Sequence, residues 1–331
     1  MATSDVPTNP GPSDLPEFEW RPADLIRRRR PSRPAPPEAP KAGAGAKPDD
    51  TDEHGPGGFA LVVLNQPLHP HLGLVHRLWD NAYVRVAADG GANCLYQAAG
   101  IHGDPCFDDL DTIIGDLDSL SPETRRYYES LPSAACSPSS PSASPPPRRA
   151  ATQILLVEEQ DSTDFAKAVA HVRQESHPQH QHYLYHHPPP PFPPRGGTPA
   201  ALLDVVALGG LGGRVDQGVS QLHHLFLFQA GDAGYARGRV FLFSGESLTW
   251  LLKPGRHRIR VRDGVFGKHV GILPVGGPSV ISTRGLEWDV REWHTEFGGR
   301  VSTSNHVLPE TEVVEVETTR EVLFTIALRE V

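Results

Sequence analysis

The chain has 331 residues and a formal net charge of -9, a length that predicts about two domains and a charge that argues against a dedicated nucleic-acid binder, for want of a basic excess to neutralise phosphates. Its three cysteines (Cys94, Cys106 and Cys136) show no CxxC spacing, which disfavours a disulfide framework or a zinc site and points to a reducing compartment. No apolar run approaches the ~20 residues that cross a bilayer, and the acids Asp5, Asp14, Glu17, Glu19 and Asp24 oppose a transit peptide, so a cytoplasmic, soluble protein is expected.

Residues 1–55 are rich in Pro, Ala, Asp and Arg without apolar periodicity and are expected to form a disordered tail. Within it, Arg27 to Arg30 read as a solvated charge run, with a targeting address as the alternative. Short continuous apolar runs at 59–64, 83–88, 112–114, 154–157, 203–208 and 240–243 predict strands buried on both faces. Helical patterns lie between them. One covers 92–99 with Gly100 as its stop; a second covers 164–175 with Ser162 or Asp161 as N-cap; a third covers 217–229. Strands alternating with helices predict a doubly wound parallel α/β domain over 56–244, whose ligands bind at the carboxyl ends of its strands. Two low-complexity stretches, 132–149 and 177–199, read as surface insertions. The His cluster in the second (His177, His180, His182, His186, His187) lacks rigid spacing and is a weak metal candidate. From 245 to 331, short strand patterns at 247–252, 257–261, 270–273, 280–283, 287–291, 313–316 and 322–328 alternate with Gly/Pro turns, predicting a β-sandwich or barrel domain.

Three polar knots fall at predicted strand ends: Gly115-Asp116-Leu117-Asp118-Ser119, Gln160-Asp161-Ser162-Thr163-Asp164-Phe165, and Gly209-Gly210-Leu211-Gly212-Gly213-Arg214-Val215-Asp216-Gln217. Hard carboxylate oxygens suit Mg²⁺, and Mg²⁺ sites commonly bring substrate phosphates. A glycine turn ending in arginine offers backbone N–H groups and a fork of donors to those phosphates. In an extended segment Asp116 and Asp118 would point the same way; an Asx turn is the structural alternative. Asp164 at a helix start equally suits the helix dipole. Asp89-Gly90-Gly91-Ala92-Asn93 follows a strand and opens a helix, where a ligand anion or a plain tight turn fits. The glycine loop matches neither common nucleotide motif: GxGxxG would need glycine at Val215, and Gly267-Lys268 is followed by His269.

These residues resemble the thiamine pyrophosphokinase family. The likeness is carried in order by Leu64-Asn65-Gln66-Pro67, Ala88 to Asn93, Gly115 to Ser119, Gln160 to Phe165 and Leu208 to Gln217, then by Leu251 to Gly255, Gly271 to Gly276, Thr283 to Trp288 and Val301 to Asn305. It implies an ATP-dependent enzyme with an α/β nucleotide domain, a β-sandwich domain and a homodimer with sites at the subunit interface. It implies Mg²⁺ at Asp116, Asp118 and Asp164. Asp89, Gln160, Thr163 and Asp216 would position the phosphates and the attacking hydroxyl. Asn65, Gln66, Gly90, Gly91, Asn93, Gly210, Arg214 and Gln217 would line the nucleotide site. Ser282, Trp288, Ser304 and Asn305 would face thiamine, with Trp288 stacked on the cationic heterocycle; a core or interface aromatic is the alternative. Two other functions stay open at this point: a metal-dependent phosphatase using the Asp-x-Asp pair, and a non-catalytic thiamine- or nucleotide-binding sensor.

Overall fold

The computed structural model describes residues 15–27, 58–68, 72–102, 107–131, 151–173, 203–229, 234–236 and 238–329. Both low-complexity insertions and the His cluster lie outside the described residues. In chain order the elements are β1 (Glu17–Trp20), a 3-10 turn (Pro22–Leu25), β2 (Phe59–Val63), α1 (Leu72–Asn81), β3 (Val84–Ala88), α2 (Gly91–His102), β4 (Thr112–Gly115), α3 (Pro122–Ser130), β5 (Gln153–Leu156), α4 (Asp164–Arg173), β6 (Asp204–Leu208), α5 (Val215–Leu227) and β7 (Val240–Phe243). The β-rich half holds β8 (Ser247–Leu252), β9 (Gly255–Arg260), β10 (Phe266–Leu273), β11 (Ser279–Arg284), β12 (Trp293–Thr295), β13 (Ser302–His306), β14 (Val313–Thr318) and β15 (Val322–Leu328).

The apolar runs become strands because both their faces are covered. In β2, Phe59, Leu61 and Val63 enter one core while Ala60 and Val62 enter the other, the split that a period of two demands. The first core lies under α1 to α3 and extends between the two sheets; the second lies under α4 and α5. Strands β2 to β7 run parallel in the order β7-β6-β2-β3-β4-β5. The chain winds outward from β2 through β5, then returns to β6 on the other side of β2. The reversal makes the β2/β6 boundary a topological switch point, the usual ligand crevice of such sheets.

Three expectations are corrected. The tail is ordered at residues 15–27: β1 pairs in parallel with β9, and Trp20 (1% exposed) and Ile26 (0%) are core residues. The partner strand lies more than 230 residues away, so local periodicity carried no sign of it. The sheets also do not divide where the domains were expected to. β7 pairs antiparallel with β8, and one ten-stranded sheet continues through β15, β10 and β13, while β1, β9, β14, β11 and β12 form the second layer of a sandwich. Residues 287–291, expected as a strand, form a turn that leads to β12. At finer scale α2 continues through Gly100 to His102, and α1 and α3, overlooked in the pattern, cover the first core. Thr163 rather than Ser162 or Asp161 caps α4: its Oγ1 accepts the Ala166 N–H at 3.2 Å.

Candidate active site

The acidic knots follow adjacent parallel strands, so the fold stacks them side by side. Asp89 follows β3, Asp116 and Asp118 follow β4, and Asp164 opens α4 beyond β5. Among the described residues, carboxylate oxygens of Asp89, Asp116 and Asp118 lie within 4.8 Å of one another. Asp164 borders the same centre. Gly115 makes this approach possible: a Cβ there would stand 2.7 Å from Asp89 Cβ and 2.9 Å from Asp164 Oδ1. Asp116 and Asp118 do not converge through an extended segment. Leu117 between them has φ 62°, and the Asp118 N–H reaches Asp116 Oδ1 at 3.3 Å, an Asx turn that presents both carboxylates.

Two of these acids, Asp89 and Asp164, are drawn partly out of water beside like charges. Burial, with smaller repulsion from Asp164, Asp116 and Asp118, lifts the Asp89 pKa to about 6, although the Ser119 N–H on Oδ2 (3.1 Å) opposes the rise. Asp89 Oδ1 is buried without a protein partner. Burial also raises Asp164, opposed by Lys167, whose side chain is 1% exposed and whose Nζ lies 3.3 Å from Asp164 Oδ1. Gln160 Nε2 donates to Asp116 Oδ2 at 3.3 Å. An orphaned oxygen on the buried Asp89, with other carboxylates beside it, fits a hard divalent cation, which would supply the missing partner and offset the repulsion.

Beside this centre, at the switch point, lies a cleft of 440 Å³ bounded by Gln66, Leu68, Gly209 to Gly212, Phe243 and Glu246. Its loop is shaped by positive φ at Gly209 (86°), Leu211 (58°) and Gly213 (71°). A Cβ on Gly213 would stand 2.6 Å from Gln66 Nε2, so Gln66 packs directly on the loop. Asn65 packs against Gly90, and Gly91 opens α2. Asn93 instead clamps the acidic loop, donating to Ser119 O at 2.7 Å and accepting from Ser121 N–H at 3.0 Å. Gly210 N–H is held by Phe243 O at 3.1 Å. Arg214 and Asp216 form an exposed forked pair (3.1 and 2.5 Å), and Gln217 is exposed on the next position of α5.

The residues expected to face thiamine fall into two groups. Trp288 and Asn305 form a reciprocal clasp: Trp288 N–H donates to Asn305 Oδ1 at 3.2 Å, and Asn305 Nδ2 donates to Trp288 O at 3.0 Å. Trp288 remains 55% exposed, with His306 5.2 Å from its ring. Ser304 sits beside Asn305 with φ 55°. Ser282 lies on β11, where its Oγ accepts the Glu292 N–H at 3.0 Å. Sequence reasoning missed two polar residues near the acidic centre, Lys167 and His224. Nothing in their local context marks them, because each acts through tertiary packing. Of the five non-glycine residues with positive φ among the described residues, Asp89, Leu117, Leu211 and Ser304 lie in segments singled out from sequence, consistent with strain kept at functional loops.

Fold and site together define an enzyme with an α/β layer, a β-sandwich layer and a carboxylate centre at the parallel strand ends. The family description "Thiamin pyrophosphokinase, catalytic domain" matches residues 75–233, and "Thiamin pyrophosphokinase, vitamin B1 binding domain" matches residues 256–323. The chain is 33% identical over 282 residues to thiamine pyrophosphokinase 3 of Oryza sativa subsp. japonica, covering 82% of this chain and 87% of the relative. It is 30% identical to thiamine pyrophosphokinase 1 of the same plant, over 93% of this chain and 96% of the relative. The solved thiamin pyrophosphokinase from Candida albicans superposes with a TM-score of 0.62 at 26% identity, covering 82% of this chain and 90% of that one. The chain belongs to the thiamine pyrophosphokinase family.

Proposed function

We propose that this enzyme transfers the pyrophosphoryl group of ATP to the hydroxyethyl group of thiamine, giving thiamine diphosphate and AMP. The observation that carries the reading is the convergence of Asp89, Asp116 and Asp118 within 4.8 Å beside the glycine-loop cleft. Asp89, Asp116 and Asp118 would hold Mg²⁺, with Asp164 beside them; Gln160 orients Asp116, and Thr163 fixes the start of α4. When bound, Mg²⁺ offsets the negative charge of the phosphate oxygens. The chain's own residues bind and align. The cleft takes the nucleoside, with Gln66 on its wall and Asn65 packed behind it against Gly90, while backbone N–H groups from Gly209 to Gly213 and the Arg214 guanidinium cradle the phosphates. The hydroxyl attacks the β-phosphorus in line as AMP leaves, a reaction governed mainly by positioning and charge neutralisation.

The exposed Trp288 face and the residues around it, Ser282, Ser304 and Asn305, would receive thiamine, with the ring stacked on the thiazolium or pyrimidine. In this reading the protein is a cytoplasmic homodimer, and Trp288 serves the partner's carboxylate centre. No described helix is long and apolar enough to cross a membrane. Incubation with ATP, Mg²⁺ and thiamine is the test: AMP and thiamine diphosphate should appear together. ADP in place of AMP would mean a different kinase, and phosphate release without thiamine would mean a hydrolase.

A further inference from the structure

Helix α5 is tied to both halves of the candidate site. Gln221 (7% exposed) reaches back to the glycine loop, where its Oε1 accepts the Leu211 N–H. Three residues on, on the same face of the helix, His224 (4% exposed) reaches the opposite loop, with Nε2 2.9 Å from Thr163 Oγ1. The other ring nitrogen settles the proton. Nδ1 lies 2.5 Å from Ser220 O, a carbonyl that only accepts, so Nδ1 carries hydrogen and Nε2 is the acceptor. Burial lowers the His224 pKa, keeping the ring neutral and this tautomer in place. The Thr163 hydroxyl therefore donates to His224 while its oxygen receives the Ala166 N–H at 3.2 Å, and Thr163 O receives the Lys167 N–H at 2.9 Å. Two backbone N–H groups at the start of α4 thus donate to Thr163, and Asp164 is the next residue.

We propose that His224 is a positioning residue for the reaction: by accepting the Thr163 hydroxyl proton it sets where α4 begins, and so where Asp164 stands beside Asp89 and Asp116. One rigid helix then holds the glycine loop through Gln221 and the carboxylate loop through His224, keeping the phosphate cradle and the acidic centre in register. This rests on the reading above, in which Asp89, Asp116 and Asp118 hold Mg²⁺ with Asp164 beside them. Phe165 and Phe228 flank the imidazole, with ring centroids at 5.4 and 5.2 Å, so an apolar replacement fills the space without supplying the acceptor.

The experiment compares the full-length wild type with His224→Leu and His224→Gln, whose Oε1 is able to take the Thr163 proton. Three quantities are read: hydrogen exchange of the Ala166 and Lys167 amides in metal-free protein, Mn²⁺ affinity by electron paramagnetic resonance, and kcat with KM for each substrate. His224→Leu is expected to lose about ten-fold in amide protection, Mn²⁺ affinity and kcat, with KM for thiamine within about two-fold; His224→Gln should stay within about three-fold of wild type throughout. Wild-type values in His224→Leu, or equal impairment in the glutamine variant, would overturn the proposal. If the leucine variant does not fold, His224→Met fills the pocket with a more adaptable side chain and is judged by the same outcomes. A wild type that binds no Mn²⁺ would refute the metal reading alone, since amide exchange reports the Thr163–His224 bond without metal.

Discussion

At the scale of residues, the acidic pair of the β4 loop makes the sharpest demand. Replacing Asp116 or Asp118 with asparagine preserves the Asx-turn geometry while removing a hard anionic donor. The expected outcome is a loss of ~10²-fold or more in kcat with an unchanged melting temperature; retention of more than about a tenth of the activity at saturating Mg²⁺ would contradict the metal role. Trp288→Ala tests the other end of the site. A cation–π contact that becomes partly desolvated is worth about 1–2 kcal/mol, so thiamine affinity should weaken about 5- to 30-fold while ATP affinity hardly moves. Equal weakening of both ligands, measured by calorimetry, would show that the clasp with Asn305 supports the fold rather than the substrate. The Asp-x-Asp pair was legible because its two residues are neighbours in the chain. The entry of Asp89 into the same cluster was not, since it depends on β3 and β4 lying side by side.

At the scale of elements, β1 is the least expected feature. Trp20 packs among Tyr235, Phe241 and Trp250, and its indole N–H donates to His257 Nδ1 at 3.0 Å. His257 Nε2 in turn donates to Lys253 O at 2.7 Å. Removing residues 1–14 should leave the melting temperature unchanged. Removing 1–27 should lower it sharply, since losing a buried tryptophan alone costs about 3–5 kcal/mol; equal melting of the two truncations would show that β1 is dispensable. Acid probes the same strap. Burial, aided by Arg239, depresses the His257 pKa from 6.5 to about 4, and burial holds His171 at about 4 as well. At each of these two histidines the folded state binds fewer protons than the unfolded chain between those values, whereas the raised Asp89 binds more and works in the opposite sense. The histidine contribution to stability is full above about pH 6.5 and is lost as pH falls toward 4, where a protonated Nδ1 would also surrender the Trp20 bond. A His257 ring that titrates near 6.5 in the folded protein, followed by NMR, would refute the assignment.

At the scale of the whole molecule, the ten-stranded sheet joins the two halves through the β7–β8 pair. A fragment ending near residue 244 would bare an edge strand together with Phe241 and Phe243, which are 2% and 1% exposed in the intact chain. Such a fragment should aggregate rather than fold, and recovery of a soluble, cooperatively melting fragment would show that the halves are independent. The proposed dimer has its own test. Mixing an Asp116→Asn chain with a Trp288→Ala chain places both lesions in one shared site and leaves the other intact. At thiamine well below KM the heterodimer should regain about half the wild-type activity, as two-fold symmetry requires. No gain on mixing, with heterodimers shown to form, would mean that each site is built within one chain.

Sequence by itself determined the strand and helix alternation, the β-rich second half and the polar knots at strand ends. Each of these depends on residues a few positions apart: apolar runs that exclude water on both faces, glycines that permit tight turns, acids placed just past a strand. Tertiary structure alone decided the continuity of the sheet across both halves, the docking of β1 on β9, the convergence of Asp89 with Asp116 and Asp118, and the reach of His224 to Thr163. Those contacts join residues dozens to hundreds of positions apart, and they form only once the strands and helices that carry them pack side by side.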